Sequence, residues 1–210
     1  MLKTPPRLVG PTPPRLDFDS NGMSMTPEEF DAVEDYDECF RYELIRGVVI
    51  VGPMSEDWHA ALIDETNYLV RDYVRSNPSG TVVDATLPNR YVFTWNGNRR
   101  LADRIIWVGL GRRPNPKSDV PAIAVEFVSK SRRDRHRDYV EKREEYREAG
   151  VKEYWIIDRF RRAMTVSSAD GSERVCDEAV RYTTPLLPGF ELPLTELFAI
   201  ADRWDEEPTE

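Results

Sequence analysis

The order of hydrophobic and polar positions along the chain predicts an alternation of short strands and helices. Two β-rich runs, 40–45 and 48–51, are separated by Arg46-Gly47, and a glycine between two such runs predicts a hairpin. From 57 to 76 the apolar positions recur at helical spacing, which predicts one long helix that ends at the Pro-Ser-Gly of 78–80. Further short strands are expected at 81–85, 90–94 and 100–108.

The middle of the chain predicts a strand–helix–strand unit. Residues 121–128, PAIAVEFV, form a nearly continuous apolar run, which is typical of a central strand buried on both faces. A charged helix from about 134 to 149 should end at Gly150, and 152–158, KEYWIID, read as a second central strand. Strands joined by such a crossover are usually parallel neighbours.

Shorter elements are expected on either side of this unit. Thr26 and Glu29 form a capping box around Pro27, which predicts a short helix that ends near residue 34. A closing hairpin is expected from 162 onward, and a short helix at 194–201.

The 210 residues fit one domain with a tail at each end. Residues 1–22 hold five prolines between positions 5 and 14, which predicts a disordered or extended arm. Residues 23–202 are expected to form the domain, and 203–210 an acidic, frayed tail.

The net charge of −9 would by itself argue against a nucleic-acid partner, but the charge is unevenly distributed. Residues 99–162 contain 18 Lys and Arg against 11 Asp and Glu, a net of +7, and the remainder carries −16. The basic stretch can therefore attract phosphate locally, while the acidic remainder limits non-specific affinity.

Cysteine content and hydropathy favour a soluble protein of the cytoplasm. Cys39 and Cys176 are too few for a disulfide framework or a zinc site. The sequence has neither an apolar run of the roughly 18 residues that a membrane helix needs nor the apolar core of a secretory signal. We therefore expect no membrane partner.

Glu126 is the most informative residue for chemistry, because it interrupts an otherwise apolar strand. An unpaired buried carboxylate costs several kcal/mol, so this one needs a cation, a proton or hydrogen-bond donors. Asp103 and Glu43 interrupt two other predicted strands. Three carboxylates that converge at one sheet edge would suit Mg²⁺ or Mn²⁺ and the hydrolysis of phosphodiesters.

Each carboxylate also has a purely structural interpretation. Glu126 could be paired with an arginine at the strand end, and Glu43 could be a solvated hairpin side chain. Asp103 could be a strand-edge carboxylate that pairs with Arg100 or Arg104.

Lys142 lies on the same face of the predicted helix as Tyr139 and Tyr146, and this aromatic face should pack on the sheet. Its ammonium could stabilise charge on a phosphate near the carboxylates, or it could extend past the packing to the rim. Asp138, four residues earlier, could pair with it. His59, at the start of the long helix, could contact a metal or phosphate, or only pack on Trp58.

These segments together resemble the Uma2 family of restriction-endonuclease-like domains. The resemblance covers roughly residues 25–200, and its most specific block is 122–158. It is carried by TPEEF, RYELIRGVVIV, LADRIIWV, PAIAVEFVSKS, DYVEKREEYREAGVKEYWIID and LLPGFELPLTELF. It implies an α/β fold of the PD-(D/E)XK nuclease type, in which helices flank a central mixed sheet.

The resemblance also implies roles for particular residues. Asp103 and Glu126 match the family's central acidic residues, with Ala102 in place of the usual proline before the aspartate. Val128 stands where nucleases of this type usually carry lysine, a function that Lys142 on the following helix would take over. Glu43 and His59 match the acidic residue of the first hairpin and the early-helix histidine.

The segment 129–131 reads SKS where relatives usually have Ser-Pro-Ser, and the loop after it is about two residues longer than usual. Lys130 is thereby a second candidate for the catalytic lysine.

The function implied is a Mg²⁺-dependent endonuclease that acts on DNA. Asp103, Glu126 and Glu43 would hold the metal, and Lys142 would stabilise developing charge. Cutting both strands of a duplex would favour a homodimer, whereas nicking would not need one. The alternative is a catalytically inactive DNA-binding or assembly module on a nuclease scaffold. A nuclease for RNA or branched substrates is a third, weaker alternative.

Overall fold

A mixed eight-stranded sheet lies at the centre of the structure, a computed structural model that describes residues 14–131 and 135–205. Its strand order is β2-β1-β4-β5-β6-β7-β8, and β3 pairs with β4. β5 and β6 are parallel, and the other neighbours are antiparallel. The strands are β1 Phe40–Ile45, β2 Val48–Pro53, β3 Val83–Phe93, β4 Arg99–Val108, β5 Ile123–Phe127, β6 Glu153–Asp158, β7 Ala163–Ser168 and β8 Glu173–Asp177.

Helices cover both faces of this sheet. One face packs against two helices that contact each other, α2 and α4, and the other against α3. A short two-stranded sheet, β9 and β10, leads into α4. The remaining elements are α1 Pro27–Asp31, α2 Asp57–Ser76, α3 Lys142–Ala149, α4 Leu194–Asp202, β9 Arg181–Tyr182, β10 Leu192–Pro193, a π-helical segment Arg137–Glu141 before α3, and 3₁₀ turns Phe18–Ser20 and Pro78–Val82.

The mixed α/β architecture predicted from the sequence is confirmed, and so are its local signals. Arg46 and Gly47 both have positive φ, 51° and 75°, as a two-residue hairpin turn between twisted strands requires. Gly150 ends α3 in the left-handed conformation, with φ at 98°. The long helix has the predicted bounds, and the strands around α3 are parallel neighbours.

Two predictions about element bounds were wrong, and a third cannot be compared with the structure. The two short strands expected at 81–85 and 90–94 are one strand, β3, because Pro88 lies on a sheet edge where its missing N–H costs no ladder bond. The first helix, α1, ends at Asp31 instead of near residue 34. Asp134, the expected start of the charged helix, lies outside the described residues.

The terminal segments are described in part. Residues 1–13 of the proline-rich arm lie outside the described residues, but Leu16 is buried against the β1–β2 hairpin. The described end of the predicted disordered arm therefore packs on the domain. Of the acidic tail, 206–210 lie outside the described residues.

The pairing of β4 opens a gap in the sheet that positions the candidate site. β1 pairs with β4 at Arg99, whereas β5 pairs with it only from Arg104 to Ile106. Between these points neither strand pairs with β4, so its backbone polar groups there need other partners.

Gly80, in the turn after α2, packs very closely against the backbone of that helix. A Cβ added there would lie 2.6 Å from Tyr73 O and 2.6 Å from Val74 Cα, which are backbone atoms that cannot swing aside. Gly80→Ala should therefore lower the thermal midpoint by roughly 5 °C, the effect of about 1–3 kcal/mol of overpacking. Gly52→Ala, which would meet no atom within 4 Å, is the matched control. Equal midpoints for the two variants in a calorimetric scan would contradict this packing.

The described residues contain no helix with the length and apolar character needed to cross a membrane.

Candidate active site

Charged side chains from neighbouring strands and helices fill the gap beside β4. Leu101 in β4 donates its backbone N–H to Glu43 Oε1 of β1 at 2.8 Å. Its carbonyl oxygen accepts a hydrogen bond from Lys142 Nζ, at the start of α3, at 2.9 Å. Side chains thus replace the missing strand pairing, which explains why Glu43 and Lys142 are buried rather than solvated.

Lys142 is the centre of this cluster. Its Nζ lies 2.8 Å from Glu126 Oε1, 3.7 Å from Glu43 Oε1 and 3.8 Å from Asp138 Oδ1. The side chain points into the sheet and is only 2% exposed, so it does not extend to the rim. Burial lowers the pKa of Lys142, but the three carboxylates outweigh burial and raise that pKa above its ordinary value. Lys142 is therefore a fixed cation and not a base.

Glu126 receives two donors on the same oxygen. Oε1 accepts from Lys142 Nζ and, at 3.1 Å, from the Tyr146 hydroxyl. Alternation along β5 puts Glu126 on the face that α3 covers. Burial, together with the charges of Asp103 and Asp138, raises the pKa of Glu126 well above its usual range despite the opposing effect of Lys142.

Asp103 is held by three donors from three elements. Its Oδ1 lies 3.0 Å from Arg41 Nη1, and its Oδ2 lies 2.7 Å from His59 Nε2 and 2.8 Å from the Phe127 backbone nitrogen. Burial raises the pKa of Asp103, but interactions with His59 and Arg41 outweigh it and hold that pKa far below its usual range.

The structural alternative for Asp103, a pair with Arg100 or Arg104, is not what the structure shows. Arg100 forms ion pairs with Glu141 and Glu145. Arg104 donates to Asn67, Thr86 and the carbonyl oxygen of Ile63.

The supporting residues named from the sequence differ in their placement. His59 contacts Asp103 and also stacks on Trp58, with ring centroids 5.2 Å apart, so both of its interpretations hold. Asp138 is buried, and among the described residues its Oδ1 has ion-pair contacts with Arg137 and Lys142 but no hydrogen bond. Lys130 is exposed and lines the pocket above the cluster. Of the two candidate lysines, only Lys142 touches the carboxylates.

Three contacts of the cluster were not predicted: Arg41 on Asp103, Tyr146 on Glu126, and Arg137 near Glu43 and Asp138. Arg137 lies 3.9 Å from Glu43 Oε2 and 3.6 Å from Asp138 Oδ1. A signal for Arg41 existed, since it precedes Glu43 by two residues in a strand and so shares its face. Nothing in the local pattern of 137 distinguishes that arginine from its neighbours.

An open pocket of about 340 Å³ leads from the surface to this cluster. Arg41, Glu43, His59 and Lys142 reach it from the charged cluster, and Ser129, Lys130 and Ser131 line it from the loop after β5. A polar pocket over buried carboxylates is a suitable place for a phosphate group and a water molecule.

The chemistry of the donor set fits a hard divalent cation. Glu43, Asp103, Glu126 and Asp138 supply carboxylate oxygens, the ligand atoms that such cations prefer. As arranged in residues 14–131 and 135–205, however, no three His, Cys, Asp or Glu side chains are grouped to hold a metal ion.

Comparison with known proteins agrees with this architecture. The profile of the Uma2 family, described as "Putative restriction endonuclease", matches residues 27–195. A crystal structure titled as a putative nuclease belonging to DUF820, from Anabaena variabilis ATCC 29413, superposes with a TM-score of 0.64 at 16% identity. That superposition covers 84% of this chain and 99% of the other, and it shows a shared fold. A search of curated proteins gives no match.

Proposed function

Since this chain belongs to the Uma2 family, we propose that it is a Mg²⁺-dependent endonuclease that hydrolyses phosphodiester bonds of DNA. The observation that carries the proposal is the buried cluster of Glu43, Asp103, Glu126 and Lys142, of which Glu43 and Lys142 line an open pocket. A structural core has no need of four charged groups at such a position, and each is costly to bury.

In this proposal Asp103 and Glu126 hold the cation, and Glu43 supports it directly or through water. Bound there, Mg²⁺ (or Mn²⁺) would supply Lewis-acid stabilisation and a more acidic water. Lys142 presents a fixed positive charge to the phosphate oxygens as negative charge develops on them. Arg41 and His59 hold the Asp103 carboxylate in its ionised form, and Tyr146 orients Glu126.

The proposal extends to the oligomeric state and the cellular location of the protein. A homodimer would let two such pockets act on the two strands of a duplex, whereas one chain suffices for nicking. The cytoplasm, where DNA and Mg²⁺ are both present, is the proposed location.

Conversion of supercoiled plasmid to nicked circles tests the activity. The wild-type chain should nick the plasmid in Mg²⁺ and leave it intact in EDTA. Cleavage that continues in EDTA, or no cleavage with either Mg²⁺ or Mn²⁺, would contradict the proposal. A parallel assay on RNA of the same length separates DNA from RNA as the substrate.

A second candidate function is an inactive DNA-binding or assembly module, and it is favoured by the present arrangement of charges in the cluster. Arg41 and Lys142 already pair with Asp103 and Glu126, and no three metal-ligand side chains are grouped among the described residues. Under this alternative the ion pairs are the final state of the site, and no cation enters.

Thermal stability in Mg²⁺ distinguishes the two candidates. A cation at 100 times its Kd stabilises the folded state by about 2.7 kcal/mol, so the midpoint of the nuclease should rise by roughly 5 °C over its value in EDTA. Asp103→Asn should abolish this rise. Glu153→Gln is the matched control, because Glu153 is a buried carboxylate held by Trp155, Tyr182 and Thr184 away from the pocket. Its Mg²⁺-induced rise should stay intact, and a flat response of the wild-type chain would favour the module.

A further inference from the structure

We propose that the DNA backbone enters the pocket over a basic surface formed by Lys130, Arg135 and Arg161 around Phe160, which we call the basic ridge. This inference rests on the proposed function and adds to it the side from which the substrate is held. None of these four residues belongs to the carboxylate cluster.

The ridge is continuous with the pocket. Trp58 lines the pocket, and its ring meets that of Phe160 edge-on with centroids 5.8 Å apart. The guanidinium of Arg135 lies 5.1 Å from the centre of the same Phe160 ring, and its Nε donates to the carbonyl oxygen of the pocket residue Ser129 at 3.4 Å. Lys130 is the next residue along the pocket wall.

The β6–β7 turn supplies the other half of the ridge. Arg161 is exposed and lies 5.6 Å from the Tyr139 ring, while Phe160 beside it is 39% exposed. This turn is held in place by Asp158, whose side chain accepts hydrogen bonds from the backbone N–H groups of Phe160 and Arg161. The two sides of the ridge are thus fixed by the sheet and by ring contacts, so their charges have a defined position.

The basic side chains of the ridge have no acidic partner in the part of the chain that the structure describes. Within residues 14–131 and 135–205, Lys130, Arg135 and Arg161 form no ion pair with a carboxylate, in contrast to Arg159 and Arg162 of the same turn, which pair with Asp205 and Asp202. Surface arginines that lack an acidic partner and pack on aromatic rings are suited to bind phosphate.

A groove beside the pocket borders an acidic segment of the chain. Arg41 and Met54 line both the pocket and a neighbouring groove that also contains Tyr36 and Glu38. The segment 34–38 there reads EDYDE, with exposed Glu34, Asp35 and Glu38. Exposed carboxylates in this segment are unfavourable neighbours for a phosphate backbone, whereas the ridge carries the opposite charge.

Fluorescence anisotropy with a labelled DNA duplex in EDTA measures the binding without cleavage. The double variant Lys130→Gln/Arg161→Gln should raise the Kd about tenfold. It should also reduce the slope of log K against log salt by about 2, since each lost phosphate contact contributes about 0.9. The control is Arg71→Gln/Arg75→Gln, which removes the same charge from the exposed face of α2 and should change the Kd less than threefold.

In the nicking assay the ridge variant should need more DNA for half-maximal rate and reach the wild-type rate at saturation. Equal Kd values for the ridge variant and the wild-type chain would overturn the ridge, even if the plasmid is cut. An equal loss in both double variants would overturn it too, because net charge alone would then explain binding. Ridge-dependent binding by a chain that never cuts DNA would support the ridge and refute the proposed nuclease.

Discussion

Replacement of Lys142 by methionine is expected to lower the rate of plasmid nicking at saturating DNA by about 100- to 1000-fold. The variant keeps the length of the side chain but removes the ammonium that touches Glu126. Loss of a single charge-stabilising donor has effects of this size in other enzymes. The surrounding carboxylates raise the pKa of Lys142, which favours the charged ammonium.

Lys130→Met is the matched control for this prediction. Lys130 lines the same pocket but is exposed, and within the described residues it forms no ion pair with the carboxylates. Its variant should keep the wild-type rate at saturating DNA and lose only affinity. If Lys130→Met loses the rate and Lys142→Met keeps it, the catalytic lysine has been assigned to the wrong residue.

Loss of folding has to be separated from loss of chemistry in the Lys142 variant. Removal of Nζ leaves Glu126, Glu43 and Asp138 with one cation fewer, and stability should fall. Circular dichroism at the assay temperature shows whether the variant is folded. A folded Lys142→Met with full nicking activity would refute the role of Lys142.

The largest effect on stability is expected from Arg100, not from the carboxylate cluster itself. Arg100 is 1% exposed, and its guanidinium binds both carboxylate oxygens of Glu145, at 2.7 and 2.8 Å, and Glu141 at 3.0 Å. Arg100→Ala should lower the thermal midpoint by about 10 °C. This corresponds to the roughly 3–5 kcal/mol lost when one partner of a buried ion pair is removed.

Two further variants make this prediction specific. Arg112 also binds one carboxylate, that of Asp119, through two guanidinium nitrogens, but this pair lies on the surface. Arg112→Ala should therefore leave the thermal midpoint nearly unchanged. The double variant Arg100→Leu/Glu145→Leu should regain much of the loss, because no unpaired charge then remains buried. A midpoint for Arg100→Ala equal to that of Arg112→Ala would contradict the argument.

The pair of Arg100 and Glu145 should also be sensitive to acid. Burial raises the pKa of Glu145, but hydrogen bonds from Arg100 outweigh it, and the net pKa lies below the ordinary value. A depressed carboxyl pKa stabilises the folded state above the pKa of the unfolded chain, and this contribution is lost as pH falls through the folded pKa. The difference in midpoint between Arg100→Ala and wild type should therefore shrink below about pH 4.

The elements best predicted from the sequence are those with strong local signals. The hairpin at Arg46-Gly47, the helix of 57–76 and the stop at Gly150 each depend on residues close together in the chain. The division of β3 into two strands failed for the opposite reason. Pro88 is a strand breaker unless the strand lies at an edge, and the edge position is set by the pairing of distant segments.

The candidate site shows the same limit. Glu126, Asp103 and Glu43 stand out because a carboxylate in an apolar strand is costly wherever it lies. The pairing of cations with carboxylates depends on the gap along β4 between its pairing with β1 and its pairing with β5. No local sequence pattern marks this gap. The strand pattern places Arg41 on the same face as Glu43, but its contact with Asp103 depends on the pairing of distant strands.

The central claim is that the buried carboxylate cluster is the catalytic centre of a DNA nuclease. Its most direct test is the initial rate of plasmid nicking in saturating Mg²⁺ by Glu126→Gln beside wild type, with Glu153→Gln as a buried carboxylate outside the pocket. We predict that Glu126→Gln falls by at least about 100-fold while Glu153→Gln, assayed below its thermal midpoint, stays within a few fold of wild type. Nicking by folded Glu126→Gln at the wild-type rate would contradict the account.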